Sequence, residues 1–143
     1  MEKLKIERSR QVLSRSPSPP PPLVNMVKKC AYKSKTGSVE GKTKKNNQDS
    51  FSINPNFGGV RGQYIFGVND GHGVLGHHVS AFLQDKLPQY ITKNLPEPTD
   101  NLELITDRLK IAFQETKYHL ISSSGIDCTF SGSTSCTTII RGD

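Results

Sequence analysis

The chain has 143 residues, 33% of them apolar, with a net charge of +6 and three cysteines. That length holds one domain at most, and the thin apolar fraction leaves part of the chain without a core to join. The start lacks the apolar stretch of a signal peptide, no run approaches the ~20 residues of a membrane span, and Cys30, Cys128 and Cys136 form no CxxC pair. A disulfide framework, a zinc site and a membrane span are therefore not expected, and a reducing, intracellular setting in cytoplasm or nucleus is.

The charge is unevenly placed. Residues 1–45 carry 12 Lys/Arg against 3 Asp/Glu, and residues 46–143 carry 7 against 10. A basic start without interleaved aromatics reads as a solvated tail more readily than as a nucleic-acid arm, so no nucleic-acid partner is expected. Within it SRSPSPPPP, residues 14–22, fixes φ at five prolines and removes their donors, which favours extended polyproline II. Residues 1–25 are thus expected to be a disordered, basic, proline-rich tail, and 26–143 the folding part. A plain linker is the favoured role for the tail. Its alternatives are docking to SH3 or WW domains, or proline-directed kinases acting at Ser16 and Ser18.

Residues 50–53 (SFSI) and 64–69 (YIFGVN) are rich in aromatic and β-branched types, and the stretch between them is full of turn formers, which predicts a strand hairpin. Val79, Phe82, Leu83 and Leu87 then share one face of a helix beginning near Gly76, expected to end at Pro88. Asp100 followed by Glu103 resembles a capping box, and Leu102, Ile105, Leu109, Ala112, Phe113 and Leu120 form the stripe of a second helix. Residues 122–132 read as loop and 133–140 as a strand. Strands first and helices after make the class α+β. No internal repeat is present.

The sharpest chemical feature is Asp70-Gly71-His72-Gly73, after a predicted strand and before a predicted helix. A carboxylate at a sharp turn, with glycines that let a carbonyl approach, suits a hard cation such as Mg²⁺ or Mn²⁺, and His72 lies within reach as a proton donor. Alone, the tetrapeptide is more often a purely conformational turn. The stretch Lys44 to Ser50 adds Asp49 beside positive charge that could hold a phosphate, against the plainer reading of a charged surface turn. His72, His77 and His78 have no recognised metal-ligand spacing, and the latter two are expected on a helix surface. Ser131 to Thr134 lacks the GxSxG setting of a nucleophile, so a structural role is expected there.

Taken together, GKTKKNNQDSF (41–51), YIFGVNDGHGVLGHHVSAF (64–82) and FSGSTSCTTII (130–140) resemble the PP2C family of metal-dependent protein serine/threonine phosphatases, in the family's order and across about 100 of the 143 residues. The resemblance implies a four-layer α-β-β-α sandwich, of which only the first half is present. It implies two Mg or Mn ions, with Asp70 bridging them, the Gly71 carbonyl binding one, and Asp49 or Gln48 facing the same ion through water. His72 would be the general acid, Lys44 would attract the phosphate, and the substrates would be phosphoproteins. Two positions depart from the family pattern: Gln48 stands where Glu is common and Lys44 where a phosphate-binding Arg is common. Gln48 brings no charge, and Lys44 lacks the two-pronged donor geometry of Arg. The family's later DG and DN aspartates and its GDSR strand are not in the sequence, so the 143 residues alone are expected to be inactive and a full-length product to be the enzyme. The rivals are a short, inactive PP2C-like binding or regulatory module and, more remotely, a basic-tailed nucleic-acid binder.

Overall fold

Alternation along one strand sets the architecture. The computed structural model describes residues 26–95 and 99–141, so the expected tail at 1–25, with Ser16 and Ser18, lies outside the described residues. The elements are β1 (Ser38–Val39), β2 (Lys42–Thr43), β3 (Asp49–Pro55), β4 (Gln63–His72), α1 (Gly76–Asn94), α2 (Leu102–Ser123), β5 (Gly132–Ser133) and β6 (Cys136–Arg141). In β4, Ile65, Gly67, Asn69 and Gly71 are buried, whereas Val68, Asp70 and His72 are exposed, the period of two that a strand imposes.

β4 is central. It pairs antiparallel with β3 on one side and with β5 and β6 on the other. α1 lies against β3 and β4, and α2 packs on α1. The core gathers Phe57, Ile65, Leu87, Ile91, Leu95 and Ala112, with Ile105, Leu109 and Ile139 packed against it. The class is α+β, as the order of elements implied. Among the described residues there are two layers, helices over one face of an antiparallel sheet.

The hairpin expected at 50–53 and 64–69 forms with longer arms, β3 and β4, around a 3-10 turn at Phe57–Gly59. A second hairpin, β1–β2, was not foreseen. Its turn places Glu40 and Gly41 at φ 51° and 76°, a conformation usually signalled by Asn-Gly, and the Lys44 amide closes it on the Gly37 carbonyl at 2.9 Å.

Three local expectations are corrected. α1 does not stop at Pro88 but runs six residues further. Leu87, Ile91 and Leu95 are each 3% exposed or less, and the burial of such side chains, about 1.5–3 kcal/mol apiece, outweighs the ~3 kcal/mol an internal proline costs. The proline leaves the Gln84 carbonyl without its helical donor, and beyond it the helix continues, with the Thr92 hydroxyl donating to the Pro88 carbonyl at 2.8 Å. The cap of α2 is Asn101, not Asp100: its Oδ1 accepts the Leu104 amide at 3.0 Å. The strand expected at 133–140 is broken into β5 and β6, and α2 takes the first two residues of the loop expected at 122–132.

The two helices are tied at their exposed edge by Lys93, which donates to Glu115 at 2.8 Å, and by Asn94, which donates to the other oxygen at 2.8 Å. Those bonds, Lys93 first, hold the Glu115 carboxyl below its ordinary value. Their small contribution is present above the ordinary carboxylate pKa and is lost as pH falls through the lowered one. The three cysteines are free. No helix among the described residues is long and apolar enough to cross a membrane.

The cap assignment is checked by urea unfolding. Asn101→Ala should lower stability by about 1 kcal/mol, and Asp100→Ala should change it by less than about 0.5 kcal/mol.

Candidate active site

Register brings the candidate carboxylates together. Asp49 of β3 is the direct partner of Asp70 of β4, and both are exposed. The Gly71 amide donates to the Gln48 carbonyl at 3.0 Å, so the neighbouring Asp49–Asp70 pair is a non-hydrogen-bonded one, with Cα atoms roughly 4.5 Å apart and side chains on one face. Like charges so placed repel, and among the described residues no Lys, Arg or His forms an ion pair with either. An exposed pair of carboxylates with no cation partner fits a hard divalent ion as part of its ligand shell. Among the described residues no group of three or more His, Cys, Asp or Glu gathers, so the fit is partial.

His72 lies two residues beyond Asp70, on the same face and roughly 7 Å along the strand. Its ring rests over Gly132, its partner in β5: a Cβ there would come within 2.7 Å of Nε2 and 2.9 Å of Cε1. Asp70, Gly71 and His72 are all strand residues. The sharp turn expected at Asp70 starts instead at Gly73, with φ 81°.

That turn is packed backbone to backbone. A Cβ at Gly71 would lie 2.3 Å from the Gly76 carbonyl oxygen and 2.7 Å from that of Gln48, and one at Gly73 would lie 2.0 Å from the Phe130 carbonyl oxygen. Strand β4 can therefore meet the start of α1 without an intervening side chain.

Ser131 and Thr134 have a structural role, and it serves this segment. The Ser131 hydroxyl accepts the Leu75 amide at 2.9 Å. The Thr134 hydroxyl accepts the Asp70 amide at 3.2 Å, and the Thr134 amide donates to the Asp70 carbonyl at 2.9 Å. Sequence reasoning missed these contacts, which join residues 56 and 64 positions apart. The polar spacing of SGST is their one sequence signal.

The other candidates are placed less directly. Gln48, beside Asp49, donates its side-chain amide to the Gly73 carbonyl at 2.5 Å. Lys44 is exposed at the foot of the β1–β2 hairpin, lies along Gly37 and makes no ion pair among the described residues. His77 and His78 lie with ring centres 4.1 Å apart and planes tilted by 38°; His78 is exposed, but His77 is half-buried, with Nε2 3.4 Å from the Asn46 amide. A cleft of about 470 Å³, lined by Leu83, Phe113, Leu120, Ile121 and Cys128 among others, reaches Gly132 and Ser133 of β5 but is not lined by Asp49, Asp70 or His72. Burial, then the charge of Asp127, pushes the Cys128 thiol up.

No family model matches the chain. Curated plant proteins do, two of them as follows. Over 125 aligned residues it is 30% identical to "Probable protein phosphatase 2C 73" of Oryza sativa subsp. japonica, which covers 68% of this chain and 30% of that protein. Over 99 residues it is 35% identical to "Probable protein phosphatase 2C 35" of Arabidopsis thaliana, covering 69% of this chain and 27% of that one. The match defines a relative of the protein phosphatases. More particularly, the chain is related to the protein phosphatase 2C family over part of a domain, and it spans under a third of the length of these two relatives.

Two glycine substitutions separate packing from chemistry. Gly71→Ala meets backbone that cannot move aside and should lower stability by at least 1–3 kcal/mol, about the cost of overpacking, read as a fall in melting temperature. Gly132→Ala meets the swinging end of a side chain, so it should leave the melting temperature within a few degrees while displacing the His72 ring, visible as a changed imidazole NMR signal.

Proposed function

We propose that the protein is a protein serine/threonine phosphatase, hydrolysing phosphoserine and phosphothreonine in protein substrates with Asp49 and Asp70 as one corner of a centre for two Mg²⁺ or Mn²⁺ ions. The observation that carries this reading is the direct cross-strand pairing of the two aspartates, taken with the family relationship. Metal ions held there would supply a water made nucleophilic near neutral pH and a clamp on the phosphoryl oxygens.

The chain's own residues have distinct tasks in this reading. Asp49 and Asp70 draw in the cations and set their place, with the Gly71 carbonyl as a further oxygen ligand. His72, on the same face, gives a proton to the departing serine or threonine oxygen, a task suited to an imidazole whose reference pKa is ~6.5. Lys44 attracts the phosphate as a point charge without fixing its orientation.

The rest of the centre comes from outside these residues. Two divalent ions each want about six ligands, and the candidate corner offers four or fewer protein oxygens, so the 143 residues alone are inactive and a longer product is the enzyme. Residues 26–143 are then part of a phosphatase domain. The sheet face opposite the helices fits a second sheet in a four-layer sandwich: Phe51, Ile53, Phe66, Val68 and Ile140 share it, Val68 being 60% exposed.

The test is Mn²⁺-dependent hydrolysis of a phosphothreonine peptide by the complete protein. Asp70→Ala should lower kcat/KM by more than about 100-fold, beyond what second-shell changes at metal sites cost. His72→Asn should lower kcat on the order of 100-fold or more while leaving Mn²⁺ binding in place. Binding of the phosphopeptide without hydrolysis would favour an inactive regulatory module instead.

A further inference from the structure

The side chain of Gln48 is turned to the backbone of the β4–α1 turn. Its Nε2 donates to the Gly73 carbonyl at 2.5 Å, and the same carbonyl is approached by the Gly76 amide at 3.4 Å. Its main-chain carbonyl accepts the Gly71 amide at 3.0 Å. Gln48, the residue just before β3, thus holds both ends of the turn that follows Asp70. The fit around it is close: a Cβ on Gly76 would lie 3.0 Å from Gln48 Nε2, and one on Gly71 would lie 2.7 Å from the Gln48 carbonyl oxygen.

Chemistry makes this residue type matter. A carbonyl oxygen can be held only by a donor, and a carboxamide supplies one where a carboxylate offers acceptors alone. Glutamate at position 48 would set a negative oxygen against the Gly73 carbonyl, and the turn would have to part from β3.

We propose that Gln48 is a positioning residue: its carboxamide pins the Gly73 carbonyl and so fixes the strand end that presents Asp70, Gly71 and His72, and it takes no part in holding metal. The proposal rests on the phosphatase reading for the purpose of that strand end. The Gln48 contact itself does not depend on it.

The experiment compares the complete wild-type protein with Gln48→Met and Gln48→Glu, using Mn²⁺ alone as the metal probe and a phosphothreonine peptide as substrate. In the wild type the Gln48 carboxamide protons should exchange slowly with solvent, a readout that needs no variant to fold. Both variants should speed exchange of the Gly71 and Gly76 amides by about fivefold, the loss of one ordinary hydrogen bond. Both should lower kcat with KM little changed, and saturating Mn²⁺ should restore neither.

If Gln48 instead faced the metal, Gln48→Glu would tighten Mn²⁺ binding and raise activity, and excess Mn²⁺ would rescue Gln48→Met; either result overturns the proposal, as does unchanged exchange at Gly71 and Gly76. A wild-type protein that binds no Mn²⁺ and hydrolyses no phosphopeptide, yet shows the exchange effect, supports the contact and sinks the phosphatase reading.

Discussion

Two like charges held side by side at the end of a strand pair are the constraint on which the rest of the site depends. Asp49 and Asp70 are brought into register by seven consecutive β3–β4 pairs, from Asp49↔Asp70 to Pro55↔Tyr64. That pairing is anchored at its far end by the apolar core around Ile65, which is fully buried beneath α1. Burial at one end of β4 thus sustains an electrostatic conflict at the other. A slip of β3 by one residue would turn Asp49 to the helix face and leave Asp70 on the other, parting the two carboxylates. The register is therefore a condition of the fold as well as of the site.

The segment after Asp70 repeats the theme of rigid backbone under an exposed polar face. Gly71, Gly73 and Gly76 let three stretches of main chain meet, and the contacts of Gln48, Ser131 and Thr134 come from elements on both sides of β4. Such a frame holds Asp70 and His72 from behind without covering them. Pre-organisation of this kind is what an active site built on strand residues offers over one built on a loop.

Much of this is legible in the sequence. The aromatic and β-branched runs at 50–53 and 64–69 declare their hairpin, and the apolar stripes declare both helices. The end of α1 was not legible, because Pro88 is a local stop signal and the buried Leu87, Ile91 and Leu95 are a tertiary answer to it. The cap of α2 was misplaced by one residue because Asp100 and Asn101 are both good cap formers, and only the backbone decides which oxygen reaches the Leu104 amide. Asp49, Asp70 and His72 could be singled out by motif and resemblance, yet their sharing of one face required knowing the strand partners. The supporting roles of Gln48, Ser131 and Thr134 are hydrogen bonds across 25 to 64 positions, and apart from the polar spacing of SGST no local pattern points to them.

The central claim, that the aspartate pair is a seat for divalent cations, is tested most directly by melting the complete protein and its Asp70→Asn variant, each stripped of metal and then with Mn²⁺. Without metal the variant should melt at or above the wild type, because one of the two opposed charges is gone. With Mn²⁺ the wild type should rise above the variant, since an ion bound by the folded state alone stabilises it. A wild-type melting temperature indifferent to Mn²⁺, or an equal rise in both proteins, would contradict the account.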